Sequence, residues 1–397
     1  MPMDKNLYSE LIGLLDEELL ADRLREMIAI KSENPFNEEP RQGYREKEMG
    51  EYMREAMRSL GFEVRSKDVR PDRPNVFGFK KGLRDGPTLI LCGHLDTART
   101  DGYPDAYKVV EKAGRIFGRG ACDMKAALAA YLEVGRLLKI AEVGLKGQLI
   151  LAGVMDEEYQ MLGSKDVGRH GPRADQGIIG EPSDLNVCPS NKGRVSTFIK
   201  TFGRAAHSSV PENGENAIIR MARVIMAFAD YNDRLMRATP HPLCGHGRFN
   251  PGIIRGGVQV NTVPDSCEME VDRRTLPGET KDEVYAEFRT RLDPLREDDP
   301  GFRYEITEPS WLIPPNDISP TEPVVLSLLA AYEAVFDKKN EVRAFVAGSD
   351  APHMGCPTVI CGPGSIVQAH STNEFVAKEE LINATKMYLW AVLDLLS

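Results

Sequence analysis

Nowhere in the 397 residues does an apolar run approach the roughly 18 to 20 residues that a bilayer-spanning helix requires. The stretch Met1 to Leu20 also lacks the basic start and apolar centre of a secretory signal. Both absences lead to the expectation of a cytoplasmic protein with no membrane partner. Positive charge is in deficit, with 50 Lys and Arg against 60 Asp and Glu and a formal charge of −10. That balance argues against a nucleic-acid partner, which needs clustered cations to release phosphate counterions. Cysteine is sparse and scattered: Cys92, Cys122, Cys188, Cys244, Cys267, Cys356 and Cys361 are odd in number and form no Cys-x-x-Cys pair, so reduced thiols are expected. There is no internal repeat and no low-complexity segment.

The length predicts two or three domains at about 150 residues each. Burial of about 75 % of the chain's surface is expected at this size, so stability needs no metal staple and any metal must be argued from chemistry. Thr88 to Cys92, Gln148 to Met155, Gly177 to Ile179 and Pro357 to Cys361 are short apolar runs without alternation, the pattern of buried parallel strands. Between the first two, Asp123 to Glu142 has helical periodicity, with Met124, Ala127, Leu128, Tyr131, Leu132 and Leu138 on one face and Asp123 placed to cap it. Strand, helix, strand implies a three-layer α/β domain with a mostly parallel central sheet.

After Lys192 the pattern changes. Arg194 to Gly203, Phe249 to Gly257, Ser266 to Arg274 and Phe302 to Glu308 read as strands, with helices predicted over Glu215 to Tyr231 and Thr280 to Leu295. That βαββαβ order is the split arrangement of a ferredoxin-like α+β unit. A helix from Glu322 and a final helix over Glu379 to Leu396 restore the α/β pattern. The expected organisation is a catalytic domain over 1–192 and 312–397, interrupted by an inserted lid and dimerisation domain over 193–311.

Metal-ligand residue types follow the predicted parallel strands. His94 and Asp96 follow the first, Glu157 and Glu158 the second, Glu181 the third, and His370 lies beyond the fourth. The carboxyl ends of parallel strands line one crevice, so these residues are expected to converge, joined by Asp123. Two imidazoles and several carboxylates suit zinc, manganese or cobalt. Crowding such carboxylates without a cation costs several kcal/mol each.

The runs GHLDT (93–97), GRGACDMK (118–125), DEE (156–158), GEPSD (180–184) and GPGSIVQAHSTNE (362–374) resemble the M20 metallopeptidases, especially the acetylornithine deacetylase and succinyl-diaminopimelate desuccinylase group. RAAHSS (204–209), NTVP (261–264) and DRRTLPGE (272–279) extend the resemblance through the insertion. It implies two zinc ions bridged by Asp123, with His94 and Glu181 completing one site and Glu158 and His370 the other. It makes Glu157 the general base, Asp96 the carboxylate that orients His94, and the Asp123–Met124 peptide cis. It also implies a homodimer through the insertion, with His207 donating to the partner's site.

The implied reaction is hydrolysis of the amide bond of an N-acyl amino acid or related small compound. A dipeptidase or carboxypeptidase-type exopeptidase would use the same centre, and a non-catalytic metal protein would need no base beside its ligands. Arg274 and Asn261 are candidates for gripping a substrate carboxylate, although Arg274 could equally pair with Asp272 or Glu279. Gly364 and Ser365 could admit substrate to the backbone or form a plain turn. His207 taken alone reads as a polar turn residue. Ala98, Arg99, Tyr103 to Val110 and Ala126 depart from the family pattern near the expected substrate entrance.

Overall fold

The N-terminal apolar positions of the chain fall on three helices, α1 (Lys5–Gly13), α2 (Glu17–Ala29) and α3 (Glu46–Ser59), the first two opened by Asp4 and Asp16, whose carboxylates accept main-chain N–H groups. The computed structural model describes residues 3–38 and 46–396. Strands β1 (Glu63–Arg70), β2 (Arg73–Lys81) and β3 (Arg84–His94) follow, then α4 (Ala126–Ile140), β4 (Lys146–Val154), α5 (Leu162–His170) and β5 (Gln176–Ile179). Helix α4 begins at Ala126 and has no side-chain cap, so the expectation of Asp123 as its cap is corrected. Asp123 instead has extended backbone angles ahead of the helix. The expected single apolar face of α4 is also corrected. Its residues from Ala126 to Leu138, Arg136 excepted, are buried, because sheet strands lie on one side and α2 and the C-terminal helix on others.

Ser190–Asp317 forms a separate compact unit. It contains β6 (Gly193–Phe202), α6 (Ala217–Ala227), α7 (Tyr231–Arg237), β7 (Arg248–Gly256), β8 (Ser266–Thr275), α8 (Lys281–Leu292), β9 (Arg303–Ile306) and β10 (Trp311–Ile313). The sheet order is β7-β8-β6-β9, all antiparallel, with β10 also paired to β6. Alternation along β8 sends Cys267, Met269, Val271 and Arg273 into the core beneath α6 and α8, and Glu268, Glu270, Asp272 and Arg274 to the other face. The helix predicted over Glu215 to Tyr231 is two helices, since α6 ends at Ala227 and α7 starts at Tyr231.

The other unit comprises the chain up to Pro189 and from Ile318 onward, where α9 (Pro323–Phe336), β11 (Thr358–Ile360) and α10 (Lys378–Leu395) complete it. Pro323 occupies the first helical position of α9, where its missing N–H is harmless. The six-stranded sheet runs β1-β2-β4-β3-β5-β11, with β4, β3, β5 and β11 parallel. Leu89 and Leu91 face one apolar layer and Ile90 and Cys92 the other, which is why β3 reads as an unbroken apolar run. Two buried tyrosines bind the sheet's ends: Tyr131 donates to the Cys92 carbonyl at 3.3 Å and Tyr388 to that of Cys361 at 2.7 Å. Among the described residues no helix is long and apolar enough to cross a membrane.

Helix α8 carries a reciprocal cap, the Thr280 hydroxyl and Glu283 carboxylate each serving the other's main-chain N–H. Thr280→Ala is expected to lower stability by about 1 kcal/mol. Thr280→Asp should recover most of it, both read from urea unfolding midpoints.

Candidate metal centre

Parallel pairing of β3 with β4 and β5 places His94, the Asp156–Glu158 turn and Glu181 at one edge of the sheet. There Asp123 divides its carboxylate between two imidazoles, with Oδ1 2.9 Å from His94 Nε2 and Oδ2 3.4 Å from His370 Nε2. His370 Nε2 is also 2.9 Å from Glu158 Oε2, and His94 Nε2 is 4.0 Å from Glu181 Oε1. Two sets of potential ligand atoms gather within 4.8 Å, one from His94, Glu157 and Glu181 and one from His94, Asp123 and Glu158. His94, Asp123, Glu158 and Glu181 are buried, while the His370 side chain is 58 % exposed and marks the open side. The Asp123–Met124 peptide is cis, as the resemblance implied.

The electrostatics of this cluster are those of uncompensated negative charge. Burial, then Glu181, pushes Glu157 well above the ordinary carboxylate range; burial, then Asp123, does the same to Glu181 and raises Glu158. Burial would raise Asp123 too, but His370 and His94 hold it below its usual range. Hydrogen bonds to Asp123 and Glu158 push His370 up to about 11. Glu158 Oε1 and Glu181 Oε1 are buried with no hydrogen-bond partner. A buried carboxylate oxygen left in that state costs several kcal/mol, and divalent cations among these nitrogens and oxygens relieve it. The residues therefore fit a metal site.

Asp96 acts differently from expectation. His94 Nδ1 lies 2.9 Å from the main-chain oxygen of Asp96 and 3.7 Å from its carboxylate, so the backbone carbonyl sets the tautomer. The Asp96 carboxylate is committed elsewhere, accepting the N–H of Glu157 and of Glu158 at 3.1 Å and Asn34 Nδ2 at 2.7 Å. Gly364 and Ser365 lie in a closely packed turn. Gly364 has φ +84°, and a Cβ there would lie 2.4 Å from the Cβ of Cys122. The Ser365 hydroxyl donates to Asp184 at 3.1 Å. Chain packing thus fixes the course of this loop.

Several supporting residues escaped sequence reasoning. Glu374 Oε1 accepts the N–H of Cys122 at 3.1 Å and of Asp123 at 3.2 Å, and its other oxygen pairs with Arg119 at 2.5 Å. Arg119 Nη2 in turn donates to the main-chain oxygens of Arg99 at 3.0 Å and His370 at 3.2 Å. Beneath the Glu157 turn, Arg73 binds Glu46 and, at 2.7 Å, Asp156, which has φ +70°. Asp350, pushed up to about 7 by burial, accepts from Ser164. Arg119 and Glu374 lie inside the quoted runs 118–125 and 362–374, the one signal that could have flagged them.

His207, Asn261 and Arg274 belong to the Ser190–Asp317 unit. His207 is exposed, its Nδ1 held by the Ser209 hydroxyl at 2.7 Å and main-chain N–H at 3.2 Å, so Nε2 is left to donate outward. Asn261 neighbours it, its main-chain oxygen accepting from Ser208 at 3.0 Å. Arg274 pairs with Asp272, Nε to Oδ1 at 2.8 Å, while Glu279 is taken by Arg273 at 2.7 Å.

Imidazoles and carboxylates converging where parallel strands end define a metal-dependent hydrolase. The chain belongs to Peptidase family M20/M25/M40, whose profile matches residues 90–394. It is 30 % identical over 365 residues to the N-formyl-4-amino-5-aminomethyl-2-methylpyrimidine deformylase of Bacillus subtilis (strain 168), covering 84 % of this chain and 85 % of that one. It is 32 % identical over 335 residues to the acetylornithine deacetylase of Vibrio atlanticus (strain LGP32), covering 82 % and 86 %. Its fold matches the aminopeptidase PepT of Bacillus cereus ATCC 10987 with a TM-score of 0.79 at 22 % identity, covering 96 % of this chain and all of that one. The M20 family metallo-carboxypeptidase Sso-CP2 of Sulfolobus solfataricus matches with a TM-score of 0.75 at 18 % identity, covering 95 % and 98 %. The enzyme is a metal-dependent hydrolase of amide bonds.

Glu374→Ala removes the acceptor for two N–H groups and the partner of Arg119. It is expected to weaken divalent-metal affinity by about tenfold or more, the usual effect of a lost supporting contact, measured by competition with a chromogenic chelator. Glu374→Gln keeps an acceptor oxygen and should lie between that variant and the parent.

Proposed function

We propose that the chain is a di-zinc deacylase that cleaves the amide bond of an N-acyl amino acid or related small compound, with cobalt or manganese as substitutes. The observation that carries the reading is the Asp123 carboxylate, which addresses His94 with one oxygen and His370 with the other. His94 and Glu181 would hold one ion and Glu158 and His370 the other, with Asp123 between. When bound, such a pair polarises a carbonyl and lowers the pKa of water. Glu157 lies among the potential ligand atoms with His94 and Glu181 and is assigned here as the base, beside a ligand and aligned by the Asp96 carboxylate on its main-chain N–H. It takes the proton of the attacking water and returns it to the leaving nitrogen. His207 offers Nε2–H to the developing oxyanion. Arg274 and Asn261 are assigned to a substrate carboxylate. The deacetylase and deformylase names of the relatives at 30 % identity or more favour a deacylase over an exopeptidase.

We assign the Ser190–Asp317 unit to homodimer formation. Strand β7 is a sheet edge paired on one side only, by β8. Beside it, exposed Ile253 and Ile254 are joined by α6 residues Ile219, 63 % exposed, and Met226, 70 % exposed. An open strand edge with an apolar flank is matched by a second copy of itself.

Glu157→Ala is expected to retain two bound metal equivalents and to lose about 10²- to 10⁴-fold in kcat. Metal loss in that variant would exchange the roles of base and ligand. The substrate panel is N-acyl amino acids alongside free dipeptides, read by amine release; a preference for dipeptides overturns the deacylase reading. His207→Ala should lower turnover with metal content unchanged, and mixing it with Glu157→Ala should restore part of the activity. Absence of restoration removes the shared-site arrangement.

A further inference from the structure

On the open face of the Ser190–Asp317 sheet, three arginines stand directly opposite one another across three strands. Arg248 on β7 pairs in register with Arg274 on β8, and Arg274 with Arg194 on β6. Strands are spaced about 4.8 Å apart, and like charges directly opposite are destabilising. Such a row persists where something anionic repays it. The next row supplies one carboxylate, Asp272, between Asn250 and Ser196. Asp272 takes the Nε of Arg194 on Oδ2 at 2.6 Å and the Nε of Arg274 on Oδ1 at 2.8 Å.

That contact orients two guanidinium groups and leaves their forked ends unused. Among the described residues neither Arg194 nor Arg274 has a hydrogen-bond partner on its Nη nitrogens. Arg194 is further fixed against the Trp311 ring, 4.9 Å from its centroid, and by Ser196 at 2.9 Å. Arg248 is exposed and makes its contacts with Met236 and the Gly247 carbonyl. The arginines line a cleft of about 580 Å³ together with Asn250, Glu270 and Asp272. Burial, then Arg248, Arg274 and Arg273, holds the nearby Lys192 ammonium below its usual value, a sign of concentrated positive potential.

We propose that Arg194, Arg248 and Arg274 form a binding site for a small dicarboxylate. Each guanidinium end presents a planar fork matched to a carboxylate, and neighbouring strands set two forks at the separation of two carboxylates on one short chain. A monocarboxylate needs one arginine, and Asp272 already neutralises part of a pair. Asp272 and Glu270 offset two of the three charges in the cleft, so it is the unused guanidinium forks on adjacent strands, rather than net charge, that favour two carboxylates over one. The dicarboxylate is either part of the substrate, as in an N-acyl glutamate or aspartate, or a free effector. Only the first source rests on the deacylase reading.

The test titrates glutarate and butyrate into the metal-loaded, full-length enzyme by calorimetry. Glutarate is expected to bind about tenfold more tightly than butyrate, the worth of one further charge-assisted contact, and to weaken with added salt. Arg248→Met and Arg194→Met should each reduce glutarate to the butyrate level, and the exposed Arg248 can be replaced without disturbing the core. Equal binding of the two acids, or glutarate binding untouched by both substitutions, overturns the site. A preference for N-acetylglutamate over N-acetylglutamine in kcat/KM that vanishes in Arg248→Met places the dicarboxylate on the substrate. Glutarate binding without that preference makes it an effector and still supports the site. Failure to hydrolyse any N-acyl amino acid sinks the deacylase reading alone, because the glutarate isotherm does not depend on turnover.

Discussion

The unit formed by the chain up to Pro189 and from Ile318 onward is arranged around one electrostatic problem, the burial of several carboxylates where its parallel strands end. Burial raises the cost of each ionised group and the neighbouring carboxylates raise it further, so Glu157, Glu158 and Glu181 are all shifted above their ordinary range. Asp123, placed between two imidazoles, is by contrast held below its usual range. The sheet supplies the rigidity that keeps such a cluster together. Its parallel strands β4, β3, β5 and β11 are buried on both faces, and the carboxyl ends of β4, β3 and β5 are level because β3 is in parallel register with β4 and β5.

Around that cluster lies a scaffold of polar contacts whose function is to hold main chain. Asp96 fastens the Glu157–Glu158 turn from one side, and Arg73 with Glu46 and Asp156 fastens it from the other. Glu374 fastens the Cys122–Asp123 turn, and Arg119 fastens the His370 loop. The division is chemically sensible. Side chains suited to metal binding are kept free by assigning the work of orientation to carboxylates and guanidinium groups one step further out.

Much of this was legible in the sequence, and the reasons for the remainder are physical. Unbroken apolar runs give buried parallel strands, so β3, β4, β5 and β11 and the ligand types after them could be read directly. Strand β1, Glu-Val-Arg-Ser-Lys-Asp-Val-Arg, buries almost nothing and therefore carries no apolar signal. Asp123 looked like a helix cap because an acid just ahead of a helix has the same local pattern whether it caps or ligates. The orienting role of Asp96 was placed on the wrong atom, since sequence shows a side chain and not the carbonyl behind it. Arg73, Arg119 and Glu374 were invisible as individuals, being charged residues whose partners lie 83, 255 and 251 positions away.

Arg119 donates through a single nitrogen to the carbonyls of both Arg99 and His370. Arg99, in the stretch that departs from the family pattern, is thereby moored to the same post as the loop that carries His370. Because Arg119 holds main-chain oxygens, side chains on that stretch can change without loosening the tie, whereas rerouting the backbone would release the loop of the histidine.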